Sequence, residues 1–331
     1  MSAADTTAPS TARTGRLIPF LVFAAALALI VATPFLPNYY VRVVNSLLIY
    51  ILLGIGLNIV IGYAGLLDLG FVAFYAVGAY TYALLASPQL DLHLPFLVIL
   101  VIAAFAGMVT GILLGIPVLK LRGDYLAIVT LGFGEIIRII VNNVDWLTGG
   151  PQGIARLDKA SIAGVEFARP VEIYWLLLAV VFITAIVVWR MERSILGKAW
   201  AAIREDQDAA RGIGINTTNA KLAAFATSAT IGSIAGVIFA ASQRFVSPES
   251  FTLQESVLIV LMIVIGGIGN ILGIVAGAAI LILLPEFLRE FAEWRILFLG
   301  LLMVVLIIIR PAGIVPRSFG PEKLIRGLFG K

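Results

Sequence analysis

Asp68, Glu135 and Arg138 stand inside runs of apolar residues, where a charge at the centre of a bilayer costs about 2.5–3.5 kcal/mol on insertion scales. Such residues pair or face water. Glu135 and Arg138 are three apart on one helical face, so they can pair with each other or border a polar path with Asn142 and Asn143 at its outer end. Asp68 falls in Gly62–Gly70 (GYAGLLDLG). A second stretch, GGIGNILG at Gly266–Gly273, interrupts its apolar run in the same way and brings Gly267 and Asn270. Paired breaks of this kind mark the corresponding halves of transporter repeats, where unwound backbone meets cargo. The candidate translocation residues are therefore Asp68, Glu135, Arg138, Asn142, Asn143, Gly267 and Asn270.

Another cluster lies between two apolar spans. Ser194–Lys221 holds Lys198, Arg204, Glu205, Asp206, Asp208, Arg211 and Lys221, too many charges for hydrocarbon, so the run faces water or a soluble partner. Leu196, Trp200 and Ile203 recur at helical spacing, Ala201, Ala202, Ala209 and Ala210 favour helix, and Gly212 and Gly214 end it. The pattern predicts one short amphipathic helix followed by a hinge, either lying on the membrane surface or docking a cytoplasmic subunit.

Much familiar chemistry is missing. With no cysteine and a single histidine, His93 in a polar loop, neither a disulfide framework nor a cysteine or histidine metal site can be built. No G-x-x-x-x-G-K-[ST] loop is present to bind ATP, and no ladder of buried acids and histidines to relay protons. Nor is there a nucleophile with a base, or a pair of catalytic carboxylates. Any energy for transport comes from another chain, and a role as an enzyme or nucleic-acid binder is disfavoured.

The elements that position these residues are membrane helices. Hydrophobic residues make up 61% of the 331 and mean hydropathy is +1.06, values of an all-α polytopic membrane protein and not of a soluble domain. A polar tail at residues 1–16 precedes a first span at Leu17–Leu36. Further spans are predicted at Val41–Ile61, Leu69–Ala86, Leu94–Leu119, Tyr125–Val141, Ile173–Trp189, Ala220–Ala241, Val257–Leu284 and Trp294–Ile309. Dividing the penultimate run at Gly266–Gly273 gives about ten segments. With the N-terminus inside, the basic loops Lys120–Asp124 and Arg190–Lys221 fall on the cytoplasmic side and Asn142–Glu172 outside. The basic tail 311–331 is then also cytoplasmic, which only a divided penultimate run allows.

Three stretches carry a family resemblance: GYAGLLDLGFVAFYAVGAY at 62–80, RGDYLAIVTLGFGEIIRIIVNN at 122–143 followed by LTGGPQGI at 147–154, and GKAWAAIREDQDAARGIGINTTNAKLAAFATSA at 197–229. The chain resembles the permease subunits of branched-chain amino-acid ABC importers, most closely the LivM-type branch of the LivHM family, over nearly all of residues 40–315. Asp68 departs from the pattern, since the family more usually has Ser there. The resemblance implies a type II (vitamin-importer-like) ABC importer permease fold over residues 17–310. It also implies four kinds of partner: a second homologous permease, two cytoplasmic ATPase subunits that bind the ATP, an extracytoplasmic substrate-binding protein, and the lipid of a bacterial cytoplasmic (inner) membrane. The chain itself then needs no cofactor and no metal. In that family the run at 190–221 is the coupling loop, so Gly197, Trp200, Ala202, Ile203, Arg204, Glu205, Asp206, Arg211 and Gly212 are expected at the ATPase, with Ile203 buried in it and Arg204, Glu205 and Asp206 at the rim. On that expectation Ile203→Asp or Arg204→Glu uncouples hydrolysis from transport with near-normal expression. Urea or a short amide remains open as cargo, and a passive channel or secondary carrier as mechanism.

Overall fold

Apolar residues on every side of Asn38–Asn58, broken only by isolated polar positions such as Asn45 and Asn58, are the signature of a helix surrounded by others. In the computed structural model this segment is the central helix α1 (Asn38–Asn58), continued by a π-helical turn at Ile59–Tyr63. The structure describes residues 32–288 except 120, 122 and 163, and a few positions between 297 and 315. The expected tail at 1–16, most of the first span and most of the region after 288 lie outside the described residues.

Seven more long or medium helices follow: α2 (Val72–Leu85), α3 (Phe96–Val118), α4 (Asp124–Asn143), α5 (Pro170–Arg193), α8 (Thr217–Gln243), α9 (Leu253–Gly266) and α10 (Ile271–Phe287), with two short ones, α6 (Ile195–Glu205) and α7 (Gln207–Gly212), between α5 and α8. Four helices are long and apolar enough to cross a membrane among the described residues, at Asn38–Tyr63, Phe96–Val118, Pro170–Arg193 and Thr217–Gln243. The predicted spans between residues 41 and 241 each coincide to within a few residues with one of the helices α1, α2, α3, α4, α5 and α8. The penultimate run is divided as its glycines imply, α9 ending at Gly266 and α10 starting at Ile271 behind the cap of Asn270, whose Oδ1 accepts from Leu272 N at 3.0 Å.

Small residues decide how these helices pack, because lipid tails provide no hydrophobic drive between apolar surfaces. Gly107 and Gly111 of α3 press against Ser233 and Ala229 of α8, and Gly78 of α2 meets the Ser233 backbone. Gly236 of α8 lies against Tyr75 and Ala79 in return. Helices α9 and α10 run as a hairpin, with Gly266 against the Gly273 carbonyl and Gly277 against Met262. Its open end lies near the start of α1, where the Tyr39 hydroxyl donates to Glu286.

Two short strand pairs accompany the helices. Ile154–Ala155 (β1) pairs antiparallel with Phe245–Val246 (β4), and Ala160–Ile162 (β2) with Val165–Phe167 (β3). Strands of two or three residues carry no periodicity that a sequence window can detect. The β1–β4 pair ties the α4–α5 connection to the end of α8, while β2 and β3 form a hairpin within that connection.

Candidate functional site

The loop that leaves α1 carries the sequence's first break, and the structure makes it a hub. Tyr63 closes the π turn, Gly65 sits at φ +70°, and the backbone runs unwound to Phe71. Asp68 is fully buried, its Oδ1 accepting from Gly70 N at 2.9 Å. The neighbouring Leu69 N donates to Thr130 Oγ1 of α4 at 3.0 Å, and Leu69 O accepts from Ser256 Oγ of α9 at 2.6 Å. Gly70 lies so close to the Thr130 carbonyl that a Cβ there has no room. Helices α4 and α9 are thus held to one turn of irregular backbone, which is tolerated at membrane depth only where protein encloses it.

The two glycine breaks, more than 200 residues apart in sequence, meet. Asn58 Oδ1 accepts from Gly269 N at 2.9 Å, and Gly62 packs against the same amide. Gly267, at φ +127°, ends α9 in a conformation that side chains rarely adopt. The chain returns here from its C-terminal region: Ile314 N donates to Ile265 O and Val315 N to Gly266 O, both at 2.9 Å. Asn270 Nδ2 donates to Val315 O at 3.4 Å.

The charged run at 194–216 touches this hub directly. Ser194 caps α6, its Oγ accepting from Gly197 N at 3.3 Å, and Gly197 is buried against the carbonyls of Met191 and Glu192, so α6 folds back at once on the end of α5. The predicted single helix is two. Asp206 is extended, and its Oδ1 accepts from Asp208 N at 2.7 Å and Ala209 N at 2.9 Å, starting α7. An Asp that caps so well breaks a helix at the place where it starts the next. The run is also shorter than Arg190–Lys221 suggests, because Arg190 and Arg193 remain in α5 and α8 begins at Thr217.

Orientation of α6 is the main departure from expectation. Trp200 is wholly buried within this chain, its Nε1 donating to Ala220 O at 2.7 Å, and Ile203 is 5% exposed. The apolar face therefore anchors the loop to its own helices. Ile203 packs within this chain, and Arg204 is half-buried: its guanidinium donates to Gly62 O at 2.5 Å, and its stem fills the space over Gly65. Lys221 is also buried, with Nζ donating to Gln207 Oε1 at 2.7 Å. What faces outward is Ile195, Lys198, Glu205, Asp206, Asp208, Arg211, Gly212 and Ile213; Ala202 is half-buried between the faces.

Other sequence-level candidates are not gathered into this hub. Glu135 and Arg138 pair with each other, Nη2 to Oε2 at 2.8 Å, on a half-exposed face. Asn142 and Asn143 lie twelve and thirteen residues beyond Thr130, about 18 Å along α4. The Asn143 side chain donates to its own helix at Ile139 O. Asn58, Thr130 and Ser256 escaped the sequence reading; the only signal was a polar residue within apolar helix, which packing alone can also explain.

At the opposite end of α1, His93 Nδ1 lies 2.5 Å from Asp158 Oδ2 and Nε2 lies 3.2 Å from Asp91 Oδ1. The hydrogen bond and charge of Asp158, with Asp91 behind them, raise the imidazole pKa above its usual value.

Spanning helices, two coupled backbone breaks and a charged turn fixed against them define a polytopic membrane permease. The chain belongs to the family described as branched-chain amino acid transport system / permease component, which matches residues 39–309. It is 42% identical over 331 residues to the high-affinity branched-chain amino acid transport system permease protein LivM of Salmonella typhimurium, covering 93% of this chain and 77% of that protein. The probable branched-chain amino acid transport permease protein LivM of Methanocaldococcus jannaschii is 24% identical, with 74% of each chain covered. The autoinducer 2 import system permease protein LsrC of Escherichia coli O157:H7 is 24% identical over 86% of this chain and 84% of its own. No solved structure matches the chain.

Proposed function

We propose that this chain is the membrane permease subunit of an ABC importer that translocates branched-chain or other hydrophobic amino acids by alternating access. The hydrolysis is done by two separate ATPase subunits, and a second homologous permease and an extracytoplasmic binding protein complete the complex. The observation that carries this reading is the α6–α7 turn. Its inner face is fixed to α8 by Trp200 and to the end of α1 by Arg204, and its outer face is open. A soluble subunit gripping that outer face moves Arg204 and with it the π turn at Ile59–Tyr63, a helical irregularity of the kind found at functional sites. About ten spans, with both termini on the cytoplasmic side of a bacterial inner membrane and a type II importer fold, fit this reading. The extent of relation to LivM favours branched-chain amino acids over urea.

The test is to purify the tagged chain from its native host in mild detergent, identify the proteins that remain bound, and reconstitute the complex with its binding protein in liposomes. ATP-dependent uptake of leucine, isoleucine or valine by a complex containing an ATPase and a second permease supports the proposal. A chain that transports without ATP, or purifies alone under conditions that preserve other membrane complexes, refutes it.

A further inference from the structure

The helix that leads into the charged turn, α5, presents an apolar stripe on its outer side. Phe182, Ile183, Ile186 and Val187 recur at the three- and four-residue spacing of one helical face, and each is exposed on a segment apolar enough to cross a membrane. Continued by one turn, the same spacing reaches Arg190 and Arg193, both exposed in the last turn of α5. The Arg193 guanidinium lies over the Trp189 ring, 3.9 Å from its centroid. The chain then folds back at Ser194, because Gly197 packs on the carbonyls of Met191 and Glu192, and the start of α6 brings Ile195 and Lys198 to the same corner. Those two are three apart on one face of α6, and Ile195 is 87% exposed. Within residues 189–198, Arg190, Arg193 and Lys198 stand against one acid, Glu192, which is half-buried. Among the described residues no salt bridge holds Arg190 or Lys198.

We infer that this corner binds the headgroup phosphate of an anionic phospholipid whose acyl chains lie along the stripe of α5. What carries the inference is one continuous outward surface that passes from apolar side chains through an aromatic ring to a group of cations. Tryptophan is favoured at the boundary between membrane and water, where its ring sits at headgroup depth. That puts Arg190 and Arg193 level with the lipid phosphates, and a guanidinium fork matches a phosphate with two parallel hydrogen bonds. An exposed isoleucine flanked by basic residues suits the boundary of headgroup and acyl chain, as on a helix that lies in the membrane interface. A zwitterionic lipid offers the same phosphate together with an ammonium that these cations repel, so the excess positive charge selects an anionic headgroup. The acids of the outward face, Glu205, Asp206 and Asp208, lie beyond the other end of α6, Glu205 about 10 Å from Lys198 along the axis. The lipid corner is thus distinct from the outer face proposed for a soluble subunit, and a lipid held there braces from outside the fold-back that Gly197 fixes from within. The inference depends on the chain being a membrane permease and not on its cargo.

The complex as purified is reconstituted in phosphatidylethanolamine liposomes with a trace of phosphatidylglycerol that carries a diazirine near the glycerol end of one acyl chain. Phosphatidylcholine with the same diazirine is the comparison. After illumination, labelled residues are located by mass spectrometry. The phosphatidylglycerol probe is expected to label residues 182–198 several-fold more than the phosphatidylcholine probe. Plain phosphatidylglycerol is expected to compete, and glycerol phosphate is not. Arg190→Gln combined with Arg193→Gln is expected to remove the excess while labelling by the phosphatidylcholine probe persists. If that variant does not assemble, the comparison of the two probes on the wild-type complex decides alone. Equal labelling by the two probes overturns the site, since it leaves only ordinary lipid contact. Displacement by glycerol phosphate overturns it in favour of a soluble phosphate ligand. An excess that survives in the double variant also overturns it, as does labelling that appears only after ATPase subunits are stripped away, which assigns the corner to those subunits. None of these readouts requires transport, so their failure leaves the import reading untouched.

Discussion

On the proposed reading, force from the charged turn reaches the membrane helices through the bond of Arg204 to Gly62 O, and Arg204→Ala tests it. A hydrogen bond from a charged donor contributes about 1.5–3 kcal/mol. Arg204 is half-buried, so the lower end applies, about 1.5 kcal/mol, and 1.4 kcal/mol corresponds to a tenfold change in an equilibrium. If the bond to Gly62 O is made or kept only in the conformation that passes substrate, its loss lowers leucine transported per ATP hydrolysed roughly tenfold. Complex assembly and ATP hydrolysis remain, because the outer face of α6–α7 is untouched. Gly65→Ala approaches the same joint from the other side. Its Cβ would lie 2.7 Å from Arg204 Cγ on a backbone at φ +70°, displacing the arginine without removing it. The assay is uptake and phosphate release measured together in proteoliposomes. An unchanged ratio in Arg204→Ala refutes the reasoning, and so does loss of ATPase binding in that variant, since it would make Arg204 a contact with the partner.

Ile203→Asp, expected from sequence to uncouple a normally expressed protein, is instead expected to destabilise the chain, because a carboxylate would be buried where the side chain is 5% exposed; thermal melting by fluorescence-detected gel filtration measures this, and a melting temperature equal to wild type counts against the buried placement. Trp200→Phe keeps most of the ring volume but removes the indole hydrogen bond to Ala220 O, so a loss of about 0.5–1.5 kcal/mol is expected in the same assay, whereas wild-type stability would deny the anchor. Gly78→Val forces a branched side chain into the Ser233 backbone and is expected to cost about 1–3 kcal/mol or more through overpacking, read as a lowered melting temperature against a neutral Gly132→Ala control, whose site is open. His93, the sole histidine, gives one imidazole resonance in a labelled sample. Its titration midpoint is expected above the usual 6.5 and to fall in Asp158→Asn. The sign follows from the raised value: the stabilising contact is fully present below the unfolded pKa and is lost as pH rises through the folded one. A midpoint at or below 6.5 in wild type would show that the Asp158 contact does not form.

The glycine breaks show how far local sequence reaches. Gly266–Gly273 announces a helix end because Gly267 alone tolerates φ +127° and Asn270 is a ready cap, both properties of a few consecutive residues. Nothing local in GYAGLLDLG or GGIGNILG states that the two touch. That contact depends on Asn58 reaching Gly269, 211 residues away. Glu135 and Arg138 were legible as a pair because they share a helix, whereas the placement of Asp68 beside Thr130 and Ser256 was not.

The sequence by itself determined that the described part of the chain is built of apolar helices, their limits to within a few residues, that the penultimate run divides, and that one charged turn interrupts the apolar runs. These follow from hydropathy, periodicity and caps, which act over fewer than twenty residues. Tertiary structure alone decided which face of α6 turns inward and that Arg204 closes on Gly62. An amphipathic pattern fixes that a helix has an apolar side but not what covers it; here the cover is the chain's own α8, supplied by packing between residues distant in sequence.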